Sequence, residues 1–270
     1  MRYIELGKTG EKIPILGQGT WKLESGREKE YYDQWKKALK KGIELDLTLI
    51  DTAEIYGDGK SEEVVGEVIK ETEEDLFIAS KVWSSNLRYN DVIKAATHSL
   101  KRLGIKQIDL YQIHWPNHSI PLKGTMEAME YLVQQGKIRY IGVSNFSADL
   151  VTEARSYLKK EEIASNQVEY SVIKREPEKK VLPQCIKEGI TLMAYSPLAS
   201  NGLRNIPNKL NKKLISIADK YKASIQQVAL NWLISKRNVM TIPKAMTIKH
   251  VIDNAKSVDL KIENDDLLTI

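Results

Sequence analysis

The sequence predicts a (β/α)8 barrel with an N-terminal β-hairpin and an extra helix before the eighth strand. Three observations carry the prediction. Short apolar, β-branched runs alternate with amphipathic helical patterns along almost the whole chain. Each run ends on a polar residue, and these (Thr20, Asp51, Lys81, His114, Ser144, Gln167, Tyr195 and Lys244) recur about 30 residues apart, with one longer last interval. The competing doubly wound sheet needs a glycine fingerprint opening a helix, and here it fails: three residues after Gly19 stands Lys22.

The elements follow in order. Tyr3–Leu6 and Lys12–Ile15 flank Gly7-Lys8-Thr9-Gly10 as a hairpin, with Pro14 marking an edge. Leu16–Trp21 is a short strand whose Gly17 and Gly19 admit close approach of another backbone or a ligand. Glu28–Lys41 reads as a helix that Gly42 ends. Leu47–Ile50 is a strand stopping on Asp51, after which Tyr56 precedes the turn Gly57-Asp58-Gly59 and Ser61 caps the next helix. Strands over 76–81, 108–113, 138–143, 164–168 and 190–195 then alternate with helices over 90–103, 124–135, one to about 158 and one ending near Gly189. Two helical patterns, Lys209–Tyr221 and Ser224–Ser235, precede the strand Val239–Ile242, which accounts for the longer interval. Thr247 opens a last helix to Ala255, and the tail after Leu260 is short and polar. No linker divides the 270 residues, so one domain is expected.

Composition narrows the function. Charged residues make up 29% of the chain and the net charge is +5, but Lys and Glu are intermixed without a basic block, which disfavours nucleic acid. Cys185 stands alone, so no disulfide framework or thiolate zinc site is expected. Neither a signal-peptide pattern nor a membrane-length apolar run is present, which predicts a cytoplasmic protein.

Singly, Asp51 could form a turn, Lys81 could be a surface lysine, and Tyr56 and His114 could be packed structural side chains. Together on one barrel rim they suit proton transfer. A phenol is too weak an acid at neutrality unless a neighbouring ammonium lowers its pKa. A carboxylate would hold that ammonium, and an imidazole could orient a substrate oxygen. The set fits protonation of an oxygen that becomes negative as a hydride attacks a carbonyl.

The runs Ile50-Asp51-Thr52-Ala53-Glu54-Ile55-Tyr56-Gly57, Ser80-Lys81, Ile113-His114-Trp115-Pro116, Gly142-Val143-Ser144-Asn145-Phe146 and Ile242-Pro243-Lys244 resemble the signature stretches of the aldo-keto reductase superfamily. The resemblance implies Tyr56 as general acid, Lys81 as its pKa modulator, Asp51 as the lysine's partner and His114 as orienter of the carbonyl. It implies Thr20, Ser144, Asn145, Gln167, Tyr195, Ser196, Leu198, Lys244, His250 and Asn254 as cofactor-binding, with Tyr195 stacked on the nicotinamide. Trp21, Trp83 and Trp115 match aromatic walls of the substrate pocket, though each could equally pack in the core. The implied activity is NAD(P)H-dependent reduction of aldehydes and ketones by a monomer without metal, acting on a small carbonyl substrate and touching neither nucleic acid nor membrane.

Departures from the pattern bear on the cofactor. Ala245 replaces a serine, and His250 stands where an arginine is usual. A mostly neutral imidazole for an always-charged fork predicts a weaker, pH-dependent preference for NADP(H), with appreciable use of NAD(H). The short tail ending at Ile270 predicts an open pocket and broad tolerance for aldehydes. Two alternatives are a non-catalytic, redox-sensing dinucleotide-binding subunit of the same fold, and a metal-dependent hydrolase using Asp51 and His114 as ligands.

Overall fold

A computed structural model describes residues 1–199, 202–204 and 206–270. Eight parallel strands are joined neighbour to neighbour: β3 (Gln18–Gly19), β4 (Leu49–Asp51), β5 (Phe77–Val82), β6 (Ile108–Ile113), β7 (Ile138–Ser144), β8 (Ile163–Glu169), β9 (Thr191–Tyr195) and β10 (Val239–Thr241). Parallel bridges from Leu16 to Thr241 and from Gly19 to Lys244 return the last strand to the first and close the (β/α)8 barrel. The glycines of the first strand make that closure possible. A Cβ on Gly19 would stand 2.7 Å from the Ile242 carbonyl, so the close approach read from the sequence is to backbone.

Seven helices occupy the connections after successive strands: α1 (Lys29–Ile43), α2 (Lys60–Lys70), α3 (Tyr89–Leu103), α4 (Leu122–Gln134), α5 (Ala148–Ser156), α6 (Val181–Glu188) and α7 (Asn208–Tyr221). The extra helix, α8 (Ile225–Ile234), lies before β10, as expected, and α9 (Ile248–Lys256) follows it. The strands of a parallel barrel are covered on both faces, which is why they read as nearly continuous apolar runs. One buried cluster, including Val65, Leu100, Met129 and Trp232, packs helices against the sheet. A second, including Leu16, Leu49, Leu110, Met193 and Met240, combines barrel residues with Leu6 and Ile13 of the hairpin. That hairpin, β1 (Tyr3–Glu5) with β2 (Lys12–Pro14), closes the end where β8 and β9 begin. Its Gly7 N–H donates to Thr191 Oγ1 at 2.8 Å, and the same hydroxyl donates to the Glu5 carbonyl at 3.0 Å. The opposite end is left for the polar residues that terminate the strands.

Two expectations are corrected. Ser61 does not cap α2; Gly59 does, at φ 89°, and the Ser61 hydroxyl lies buried between Thr52 Oγ1 (2.8 Å) and Thr20 Oγ1 (2.7 Å). The polar tail forms a short helix, α10 (Asn264–Thr269), because Leu267 is available to pack on the outer core.

Candidate active site

The chain ends β4 at Asp51 and then turns through a loop, Thr52–Gly57, that leads toward α2 and carries Tyr56 over the mouth of the barrel. Gly57 adopts φ +55°, and a Cβ there would meet the Leu23 carbonyl at 2.7 Å, so the loop lies directly on the segment after β3. From β5, the fully buried Lys81 reaches beneath Tyr56. Its Nζ donates to Asp51 Oδ2 at 2.6 Å, to the Thr52 carbonyl at 2.9 Å and to the Tyr56 hydroxyl at 3.5 Å. His114, just past β6, brings Nε2 to 3.5 Å from the same hydroxyl. Two side chains distant in sequence, Lys81 and His114, thus converge on the Tyr56 phenolic oxygen, with Asp51 behind the lysine.

The electrostatics refine the expected roles. Burial disfavours the charge on Lys81, but Asp51 and Tyr56 outweigh it and hold its pKa above the ordinary value, so it stays an ammonium. Tyr56 departs from expectation. Burial raises its pKa, and the pull of Lys81 is opposed by the Asp51 carboxylate, leaving the net shift upward. The phenol therefore keeps its proton at neutrality. Burial first, and the Lys81 charge second, push His114 down to about 3, so the imidazole is neutral. Its Nδ1 is buried without a partner among the described residues. An orphaned buried N–H is the rarer condition, which assigns the proton to Nε2, facing Tyr56.

Behind this group lies an amide network. Asp51 Oδ1 accepts from Gln167 Nε2 at 2.8 Å and from Gln112 Nε2 at 3.4 Å. Gln167 thus lines the cavity while its amide nitrogen is already engaged. Asn145, at φ +62°, donates through Nδ2 to the His114 carbonyl and to Ser144 Oγ, both at 3.0 Å, and accepts from the Tyr195 hydroxyl at 2.9 Å. Ser144 in turn donates to the Gln167 carbonyl at 2.9 Å. The Thr20 side chain is fully buried, donating to the Asp51 carbonyl at 3.0 Å, so its hydroxyl is not offered to the cavity.

The cavity holds about 1520 Å³, more than the roughly 300–1,000 Å³ of a drug-sized ligand site. At the end near Tyr56 it is walled by Trp21, Trp83 and Trp115. None of the three is buried in the core; Trp21 is 45% and Trp115 44% exposed, and Trp83 packs edge-on to His114 at 5.1 Å. Ser196, Leu198, Lys244, His250 and Asn254 also line the cavity. They are joined by Lys22, Arg204 and Lys249, cations that the sequence did not single out. Burial first, and the repulsion of Lys22 second, lower the pKa of Lys244 against the opposing pull of Glu24. Thr247 caps α9 here, accepting from the His250 N–H at 3.3 Å, and the helix N-terminus adds its own attraction for anions. An elongated, phosphorylated ligand fits this donor set.

The metal-hydrolase alternative fares poorly. Asp51 is held by Lys81 and Gln167, and among the described residues no group of three His, Cys, Asp or Glu could hold a metal ion. No helix among them is long and apolar enough to cross a membrane.

Gln112 and Glu54 were missed, although both are in plain view. Gln112 is an amide in the otherwise mostly apolar run of β6, and Glu54 sits inside the stretch that carries Tyr56.

Residues 15–270 match the model of the aldo/keto reductase family. The chain is 42% identical over 256 residues to methylglyoxal reductase YeaE of Escherichia coli, covering 94% of this chain and 89% of the relative. It is 39% identical over 263 residues to glyoxal reductase of Bacillus subtilis, covering 96% and 88%. Among solved structures, a thermostable aldo-keto reductase in complex with the inhibitor epalrestat superposes with a TM-score of 0.94 at 43% identity, covering 100% of this chain and 98% of that one. An aldo-keto reductase from Klebsiella pneumoniae in complex with NADPH gives 0.90 at 35% identity, covering 98% and 92%.

Proposed function

The chain belongs to the aldo/keto reductase family, and on that premise we propose that it is an NADP(H)-preferring reductase of small aldehydes and ketones, 2-oxoaldehydes among them. The observation that carries the reading is the phenolic oxygen of Tyr56, 3.5 Å from both Lys81 Nζ and His114 Nε2 and facing the cavity. The dicarbonyl substrates in the names of the two relatives support the substrate class. The whole chain acts as one domain in this reading, working as a cytoplasmic monomer.

When bound, NADPH supplies the hydride that attacks the carbonyl carbon. Lys244, His250 and Lys249 would hold its phosphate end, and Ser144, Asn145 and Tyr195 would line the place of its nicotinamide. Neutral His114 donates from Nε2 to the substrate oxygen and aligns it with Tyr56. Tyr56, still protonated at neutrality, gives its proton to that oxygen as negative charge develops there. Lys81 stabilises the tyrosinate left behind, and Asp51 keeps Lys81 charged and in place. The three tryptophans shield the reacting carbon from water on the open side.

The test is oxidation of NADPH and NADH with methylglyoxal, glyoxal and simple aldehydes, for wild type and Tyr56→Phe. Loss of the general acid should lower kcat by about 10²–10⁴-fold while cofactor affinity persists. Tight cofactor binding by a wild type that turns over no carbonyl would instead indicate a redox-sensing subunit.

A further inference from the structure

We propose that Glu54 is a positioning residue: it holds the Trp83 wall against the reacting centre and thereby sets the affinity for the carbonyl substrate. The proposal rests on the carbonyl-reductase reading above. Glu54 lies half-buried between Asp51 and Tyr56. Beyond the paired ends of β4 and β5, the Thr52 N–H donates to the Ala79 carbonyl at 2.9 Å and the Glu54 N–H to the Lys81 carbonyl at 3.4 Å. There the chain turns away toward Tyr56. The next N–H in the series on the β5 side, that of Trp83, is met by a side chain instead, donating to Glu54 Oε1 at 2.6 Å. The same oxygen accepts from Asn86 Nδ2 at 3.0 Å. The carboxylate thus extends the pairing of the two strands into their loops, and both its donors are neutral.

Two more side chains brace the same turn. Asn117 Nδ2 donates to the Ser84 carbonyl at 2.9 Å, and Thr125 Oγ1 to the Leu87 carbonyl at 2.6 Å. Held this way, Trp83 stands edge-to-face on His114 at 5.1 Å, while Tyr56 packs on the same imidazole at 5.5 Å. Glu54 is therefore the direct tie between the loop of the proton donor and the loop of the aromatic wall. Tyr56 has supports of its own in Lys81 and in its N–H bond to the Ala53 carbonyl at 3.1 Å. Loss of Glu54 should accordingly loosen the wall and leave the proton donor in place. A pocket that must order its wall on binding pays for that order in affinity.

The experiment is steady-state kinetics with NADPH and methylglyoxal for Glu54→Ala, Glu54→Gln, Trp83→Ala and the double variant Glu54→Ala/Trp83→Ala. Glu54→Ala should raise KM about five- to tenfold, with kcat within about twofold of wild type. Glu54→Gln, which keeps an oxygen acceptor, should restore KM to within about twofold of wild type. The double variant should match Trp83→Ala, because both changes act through one wall. An unchanged KM in Glu54→Ala, a Glu54→Gln variant equally impaired, or effects that multiply in the double variant would each overturn the proposal. If Glu54→Ala does not fold, Glu54→Asp enters the same cycle, one methylene short of both donors. Fluorine NMR of protein labelled with 5-fluorotryptophan decides the matter without turnover. With the Trp83 resonance assigned from Trp83→Phe, Glu54→Ala or Glu54→Asp should shift and broaden it, and an unmoved resonance overturns the proposal. A wild type inactive on carbonyls while that resonance responds sinks only the reductase reading.

Discussion

At the scale of residues, the site is a set of charges balanced by burial. His114 is the clearest case. Its pKa falls from 6.5 to about 3 on folding, so between those values the unfolded chain binds a proton that the folded protein refuses. The stability this imidazole permits is full above pH 6.5 and declines as pH drops toward 3. His114→Asn should flatten that part of the stability-versus-pH curve, measured by urea denaturation across the range, and should slow carbonyl reduction at every pH. With Tyr56 as the acid we propose, reduction needs its protonated form, so kcat/KM should hold through neutrality and fall only above the ordinary phenol range, because burial raises this pKa. Lys81→Met removes the one strong pull in the other direction and should move the fall to still higher pH while lowering kcat. Asp51, then buried without its cation, should cost about 3–5 kcal/mol of stability, and Asp51→Asn in the same background should recover part of it.

At the scale of elements, the loop from β4 to α2 holds the proposed proton donor, Tyr56, through its backbone. Gly57 occupies the left-handed region with no room for a methyl group, against both the Leu23 carbonyl and the Ser25 N–H. Gly57→Ala should lower stability by about 1–3 kcal/mol and displace Tyr56, so that kcat falls together with the melting temperature. Thermal denaturation beside steady-state kinetics checks it. Thr20, Thr52 and Ser61 form a buried hydroxyl chain under the same loop, tying α2 to the ends of β3 and β4. A sequence pattern can say that Ser61 stands near a helix start, and it does. It does not say that Gly59 will take the cap because Lys60 already begins the helix.

At the scale of the whole molecule, one cavity runs from the tryptophan walls to the cations beside α9, joining residues from both ends of the chain. In the proposed function, cofactor choice belongs to the far end. Lys244→Met should weaken NADPH by about 1.5–3 kcal/mol with little effect on NADH, since only the former carries the 2′-phosphate. His250→Arg should do the reverse, raising the preference for NADPH by up to about tenfold. Titration of each cofactor by quenching of intrinsic fluorescence measures both.

The sequence by itself determined the barrel and the membership of its rim. Asp51, Lys81 and His114 each end a strand in a repeat of βα units, and a barrel must bring such residues to one face. It also marked the tryptophans and the departures at Ala245 and His250. Tertiary structure alone decided where side chains point and how much water they keep. Thr20 ends a strand like the others, yet its hydroxyl is turned to the Asp51 carbonyl. The phenol of Tyr56 has the expected lysine beside it, yet its pKa rises, because the cost of burying a charge depends on every surrounding atom and not on one partner. Gln112 and Glu54 act across strands that are neighbours in space but not in sequence, and spacing along a chain carries no record of such contacts.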